Sequence, residues 1–265
     1  MQTILLNRWR RKRPMNDIDL ARVLDMQRNI PGYMAEASAA VWCVLLRAQH
    51  ETWAWKGRST SGDYLEIGVF HGKSASVLAN FSNVYGNALA IVDPQILPKT
   101  KQTLDAISPH VKYFELRSEE LQASDFYVKN RRQIAFAHID GLHRFSVVIS
   151  DLQACEGLLA DFGIIAVDDF HSDGLYPQIS AAVYKYLFSG LSDLCIFLVG
   201  FNKAYLCRNC AKKYFMQFSR TQLLPELESL GQKFTLAKTD RNDAFDAFAI
   251  TSFFENRHYG GEHTS

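Results

Sequence analysis

Three aspartates stand at the ends of short apolar runs. Asp140 closes IAFAHID (134–140), and Asp168 and Asp169 follow GIIAV (163–167). Carboxylates that converge repel one another and need a counter-charge. A divalent cation meets that need, and hard oxygen donors suit Mg²⁺, which keeps positions open for water or substrate. His143 lies three residues past Asp140. A neutral imidazole there is a candidate general base; the bland alternative is a residue at a helix start. Asp93 closes another apolar run, NALAIVD (87–93). An acidic residue at that place can hold both hydroxyls of a ribose, or form the turn before Pro94.

A fourth run ends in Glu66-Ile67-Gly68-Val69-Phe70-His71-Gly72. Two glycines four apart let a ligand approach the backbone. Phe70 stands where a dinucleotide fingerprint needs its middle glycine, and Gly72-Lys73-Ser74 lacks the spacing of a triphosphate loop. Among the other histidines, His138 reads as a core residue and His71 as pocket wall. His171 sits behind the acidic pair, and His50 and His110 read as surface residues. Cys207 and Cys210 form a lone CxxC, and no second pair follows at the spacing of a structural zinc site.

These residues need elements to position them. Apolar runs at 64–69, 87–93, 111–116, 134–140 and 163–167 alternate with helical patterns at 73–80, 99–107, 119–132, 145–159 and 179–188. That alternation predicts βαβ units, and so a doubly wound α/β sheet with helices on both faces. Ligands of such sheets bind beyond the carboxyl ends of the strands. Helices over 16–26, capped by Asn16, and over 35–55 form an N-terminal lead-in. Late strands are expected at 195–199, 204–206 and 244–254, and a helix at 211–231. The expected organisation is a basic tail (1–15), a helical segment (16–60), one Rossmann-like domain (61–255) and a tail (256–265).

Composition sets outer limits. The chain has 265 residues, 48% hydrophobic, with net charge +1. It can bury a full core, and its charge argues against a general nucleic-acid coat. No run approaches the roughly 20 apolar residues that span a bilayer. Five scattered cysteines and no secretion signal predict a reducing cytoplasm.

The motifs LEIGVFHGKSA (65–75), IVDP (91–94), HIDGLH (138–143) and IIAVDDF (164–170) resemble class I S-adenosylmethionine-dependent methyltransferases. Within that class they are most similar to the metal-dependent macrocin- and mycinamicin-type sugar O-methyltransferases. The lead-in IPGYMAEASAAVWCVLL (30–46) fits the same branch, and the resemblance spans about residues 30–190. It implies that Glu66, Gly68, Phe70, Gly72 and Ser74 surround the methionine part of the cofactor. Asp93 would hold the ribose and Ser118, in RSEEL, would lie near the adenine, with Asp140 also at the cofactor. The implied metal ligands are Asp140, Asp168 and Asp169, with His143 as base. The implied acceptor is a hydroxyl of a sugar or other vicinal diol, in a small molecule or glycan of natural-product biosynthesis. The rival readings are a nicotinamide oxidoreductase, a non-catalytic cofactor-binding module, and a methyltransferase that needs no metal. Trp53, Trp55, Tyr184 and Tyr186 would serve either a homo-oligomer face or the core.

Overall fold

The computed structural model describes residues 18–55, 62–171, 174–238 and 246–252. Two helices lead in: α1 (Leu20–Arg28) and α2 (Glu36–Trp55). Asp19 caps α1 by accepting from the Arg22 amide at 3.1 Å. Asn16, the expected cap, lies outside the described residues, as do both expected tails. Helix α2 is buried from Ala39 to Leu46, which suits a helix apolar on every side.

The alternating region follows as β1 (Asp63–Ile67), α3 (Lys73–Tyr85), β2 (Leu89–Val92), α4 (Pro98–Ile107) and β3 (Val111–Phe114). Next come a 3₁₀ turn (Ser118–Ala123), α5 (Asp125–Lys129), β4 (Ile134–Ile139), α6 (Phe145–Leu158), β5 (Leu159–Val167) and α7 (Pro177–Leu187). The helix expected over 119–132 is thus two pieces. Ser124 ends the 3₁₀ turn and caps α5 through its hydroxyl.

Beyond α7 run β6 (Leu194–Gly200), β7 (Lys203–Arg208), α8 (Asn209–Phe218), a π turn (Ser219–Leu223) and α9 (Leu224–Ser229). Two short strands come last among the described residues, β8 (Thr235–Lys238) and β9 (Phe248–Thr251). The expected helix over 211–231 carries the π turn at its centre. Strand β8 had no counterpart among the expected elements: TLAK is only four residues long, and the turn residues Thr239, Asp240, Asn242 and Asp243 mark its far end alone.

Among the described residues nine strands form one sheet, in the order β3-β2-β1-β4-β5-β7-β6-β9-β8. The first five are parallel, and β7 turns antiparallel against β5. The order reverses between β1 and β4, the place where doubly wound sheets take ligands. Successive side chains alternate between faces. Leu65, Ile67, Ala137 and Ile139 therefore pack under α6 and α7, whereas Tyr64 and Phe136 pack under α1, α2, α3 and α8. The same alternation sends Glu66 and His138, which are register partners, to the α2 face. Where the β4–β5 register slips, Gln49 of α2 donates to the carbonyls of Ala135 and Phe162 at 2.7 and 2.9 Å. Those bonds replace ladder bonds and fix α2 over the sheet.

Candidate active site

The loop after β1 is forced by its glycines. Gly68 has φ +82°, and a Cβ there would stand 2.0 Å from the carbonyl oxygen of Asp140. Only glycine lets the loops after β1 and β4 meet so closely. The loop is tied on its far side as well. The amides of Gly68 and Val69 donate to Val92 O and Asp93 Oδ2, each at 2.9 Å, and Thr100 Oγ1 donates to Phe70 O at 2.8 Å. Phe70 holds a left-handed φ of +42°, a strained choice for an aromatic residue. Its exposed ring stacks on Tyr33 with centroids 6.0 Å apart. Gly72 caps α3 without a side-chain hydrogen bond, which leaves amides of the first helical turn for a ligand.

Asp93 ties this loop from the next strand. Its second oxygen accepts from the Gln95 amide at 2.9 Å. Ser118, nearly buried, follows β3 at the same edge of the sheet.

The side toward β5 is built from charge. Glu66 is fully buried, accepts from the Ser74 hydroxyl, and lies 3.1 Å from His138 Nδ1. His138 Nε2 is 3.5 Å from Asp168 Oδ2, which also contacts Lys203 Nζ. Lys203, only 2% exposed, opens β7. Trp42 of α2 lies over both cations, edge-on to His138 at 4.6 Å and 5.7 Å from Lys203 Nζ, within cation–π range. Burial opposes protonation of His138, but the Glu66 charge and Asp168 outweigh it and raise its pKa to about 9. Burial likewise works against a charged Asp168, yet Lys203 and His138 hold it well below the usual carboxylate range. Two acids and two cations therefore alternate in one buried row.

Asp140 and Asp169 form a second group with His143. His143 Nε2 lies 3.4 Å from Asp140 Oδ1 and 3.3 Å from Asp169 Oδ2. The contact with Asp140 raises the His143 pKa. Burial raises that of Asp169, although Asn202 donates to its Oδ1 at 2.6 Å. Asp169 has a left-handed φ of +53°, and its amide donates to Asp168 Oδ1 at 2.8 Å. Tyr176 packs on the His143 ring at 4.4 Å.

Among the described residues, two sets of potential ligand atoms lie within 4.8 Å of one another: His138, Asp140 and Asp168, and Asp140, His143 and Asp169. The expected trio is therefore divided between two groups that share Asp140. His138, expected as a core residue, is buried but charged. Lys203 and Asn202 lay outside the sequence reading; the one signal was a lysine opening the apolar run AYLC. His50 corrects another expectation, since it stacks on Tyr85 at 3.4 Å and burial lowers its pKa to about 4. Tyr186 is buried against Glu156 rather than free for a partner, and Tyr184 packs on Phe170. The side chains of Trp53 and Trp55 lie outside the described residues. A cleft lined by Tyr64, Ala90, Phe114 and Phe126 contains none of the site residues.

Residues 65–170 match the methyltransferase domain family. No curated protein sequence matches the chain. Among solved structures, CalS11, a TDP-rhamnose 3'-O-methyltransferase of calicheamicin biosynthesis, superposes with a TM-score of 0.50 at 18% identity, over 71% of this chain and 92% of that one. MycE, a methyltransferase of the mycinamycin pathway solved with Mg and SAH, gives 0.51 at 13% identity, over 74% of this chain and 55% of that one. This chain thus spans about half the length of MycE. At such identities the likeness is one of fold. No described helix is long and apolar enough to cross a membrane. The matched domain, the sheet order and the glycine turn make residues 65–170 of this chain similar to the methyltransferase domain family, on a doubly wound fold like that of CalS11 and MycE.

Proposed function

We propose that the enzyme transfers a methyl group to a hydroxyl of a sugar or other vicinal diol, in a small molecule or glycan, and that Mg²⁺ assists. The observation that carries this reading is His143 between Asp140 and Asp169, in a loop whose Asp140 carbonyl lies against Gly68. A base is thereby set beside the turn that receives the cofactor. The uncapped start of α3 would take the cofactor carboxylate, Asp93 its ribose, and Ser118 its adenine end. Glu66 Oε2 is buried without a hydrogen-bond partner, and suits the amino group.

The donors fit a hard cation. Asp140 and Asp169 offer oxygen atoms, and Asp169 is held in a state that a nearby positive charge would relieve. Asp140 and Asp169, whose oxygens lie in one group, would hold Mg²⁺, and the third implied ligand, Asp168, would join them on parting from Lys203. When bound, the ion would lower the pKa of the acceptor hydroxyl and orient its neighbouring oxygen. His143 then removes the hydroxyl proton. The oxygen lone pair forms the new C–O bond as the C–S bond breaks, and the sulfonium leaves as a neutral thioether. Tyr176 restrains the imidazole by packing on it. The Gly68 contact fixes the separation of the two loops, which is how near-attack geometry is kept.

One observation favours a second reading, transfer without a metal: Lys203 and His138 already balance Asp168. Titration calorimetry with S-adenosylhomocysteine, followed by turnover on vicinal diols with Mg²⁺ or EDTA, separates the two. Micromolar binding and loss of turnover in EDTA support the metal-assisted enzyme. Turnover that persists in EDTA moves the reading to the metal-free one, and absence of binding overturns both.

A further inference from the structure

The CxxC at Cys207 and Cys210 suggests that these two thiols belong together, but the fold pairs them differently. Cys207 of β7 is the direct antiparallel register partner of Cys195 in β6, and their Sγ atoms are 3.9 Å apart. Cys210, exposed at the start of α8, turns its thiol to the carbonyl of Asp161 at 3.5 Å. Directly opposed residues in an antiparallel pair have Cα atoms about 4.5–5.5 Å apart, inside the roughly 4.4–6.8 Å range of disulfides. Closing the bond therefore needs side-chain rotation and no strand shift.

The two thiols are also unequal. Cys195 is partly exposed and Cys207 is buried. The contact with the Cys207 thiol, together with nearby Lys212, lowers the Cys195 pKa. Burial and the Cys195 charge push Cys207 well above the ordinary value. A partly exposed thiol of lowered pKa beside a buried partner is the arrangement of an attacking and a resolving cysteine.

We propose that Cys195 and Cys207 are a thiol modification site, which a small disulfide such as glutathione disulfide converts into a cross-strand disulfide. The Cys195 thiolate attacks one sulfur of the oxidant. That S–S bond breaks and one glutathione thiolate leaves, taking up a proton. Cys207 then gives up its proton and attacks the Cys195 sulfur, which expels the second glutathione. Two protein thiols are oxidised and one glutathione disulfide is reduced to two thiols. The new bond would fasten the base of the β6–β7 hairpin, whose tip carries Asn202 and Lys203 onto Asp169 and Asp168.

The test uses the whole chain. It is incubated with glutathione disulfide, alkylated with N-ethylmaleimide, and digested with trypsin without reduction. Cleavage after Lys185, Lys203, Arg208 and Lys212 places the three thiols on separate peptides, 186–203, 204–208 and 209–212. The expected result is peptide 186–203 joined to 204–208, with loss of both alkylation sites. The Cys195→Ser variant abolishes the link, and Cys207→Ser leaves glutathione on Cys195. The proposal is overturned if both thiols of the wild type stay alkylatable, if 186–203 joins 209–212, or if a glutathione adduct persists on wild-type Cys195.

Discussion

The two sides of the switch point hold their loops by different means. On the side of β2 and β3, the loop after β1 is fixed by backbone amides, one carboxylate and two left-handed glycines. On the side of β5, the loops are fixed by a buried row of alternating charges and by a hairpin from later in the chain. The first side needs close approach, which absent side chains provide. The second needs carboxylates held near one another, and that takes cations, because unpaired buried charges cost too much to keep. One site thus joins a surface that admits a ligand's backbone-sized parts to one that manages charge.

Substitutions on the two sides should fail in different ways. The largest effect is expected for Asp140→Ala, which removes a charge facing His143 and an implied ligand. Turnover should fall by about a thousandfold, several kcal/mol of barrier, while S-adenosylhomocysteine affinity stays within about tenfold. His143→Ala should cost about a hundredfold or more in turnover with metal affinity retained. A comparable loss of cofactor binding in either variant would erase the division of labour.

Lys203→Met tests the charge row through stability. Breaking one partner of a buried pair costs about 3–5 kcal/mol, or a melting temperature lower by about 6–20 °C in a domain of this size. Adding Asp168→Asn should restore part of that loss, and a calorimetric scan of the pair reads it. On the other side, Asp93→Ala removes the acceptor of the Val69 amide and the implied ribose contact. Cofactor affinity should drop roughly 10–100-fold, with a much smaller change in melting than for Lys203→Met.

The smallest effect concerns Asp151 of α6, which is buried near Gly141 and Ser118 with neither oxygen in a regular hydrogen bond. Burial raises its pKa to about 7. Its unfolded value is about 3.9, so the native state binds the extra proton between the two. Its contribution is therefore whole below about pH 4 and is lost as pH rises through about 7. Asp151→Asn should gain on the order of 1 kcal/mol at pH 8, and the gain should vanish near pH 4. An equal gain at both pH values would mean that the folded protein ionises Asp151 freely.

What the sequence revealed follows the same divide. The glycine turn, Asp93 and the strand-end aspartates are local signals, since type and spacing within a few residues carry their meaning. The five parallel strands were legible for the same reason. The pairing of Glu66 with His138 was not, because it depends on register between strands some seventy residues apart. Lys203 and Asn202 were harder still. They reach the aspartates only because β7 runs antiparallel beside β5, and nothing in AYLC announces that neighbour. The division of the aspartate trio follows the partners each carboxylate meets, Lys203 for Asp168 and Asn202 and His143 for Asp169, which no composition rule predicts.

That hairpin also bears on where the enzyme can be cut. The stretch that matches the domain family ends at residue 170, thirty-three positions before Lys203. A fragment trimmed there would keep Glu66, His138 and Asp168 but lose the ammonium that faces Asp168. A chain emerging from the ribosome passes through the same incomplete state. Until residue 203 arrives, the edge of β5 has a deficit of positive charge, so the last step in assembling the site waits on a strand that carries none of the recognisable motifs.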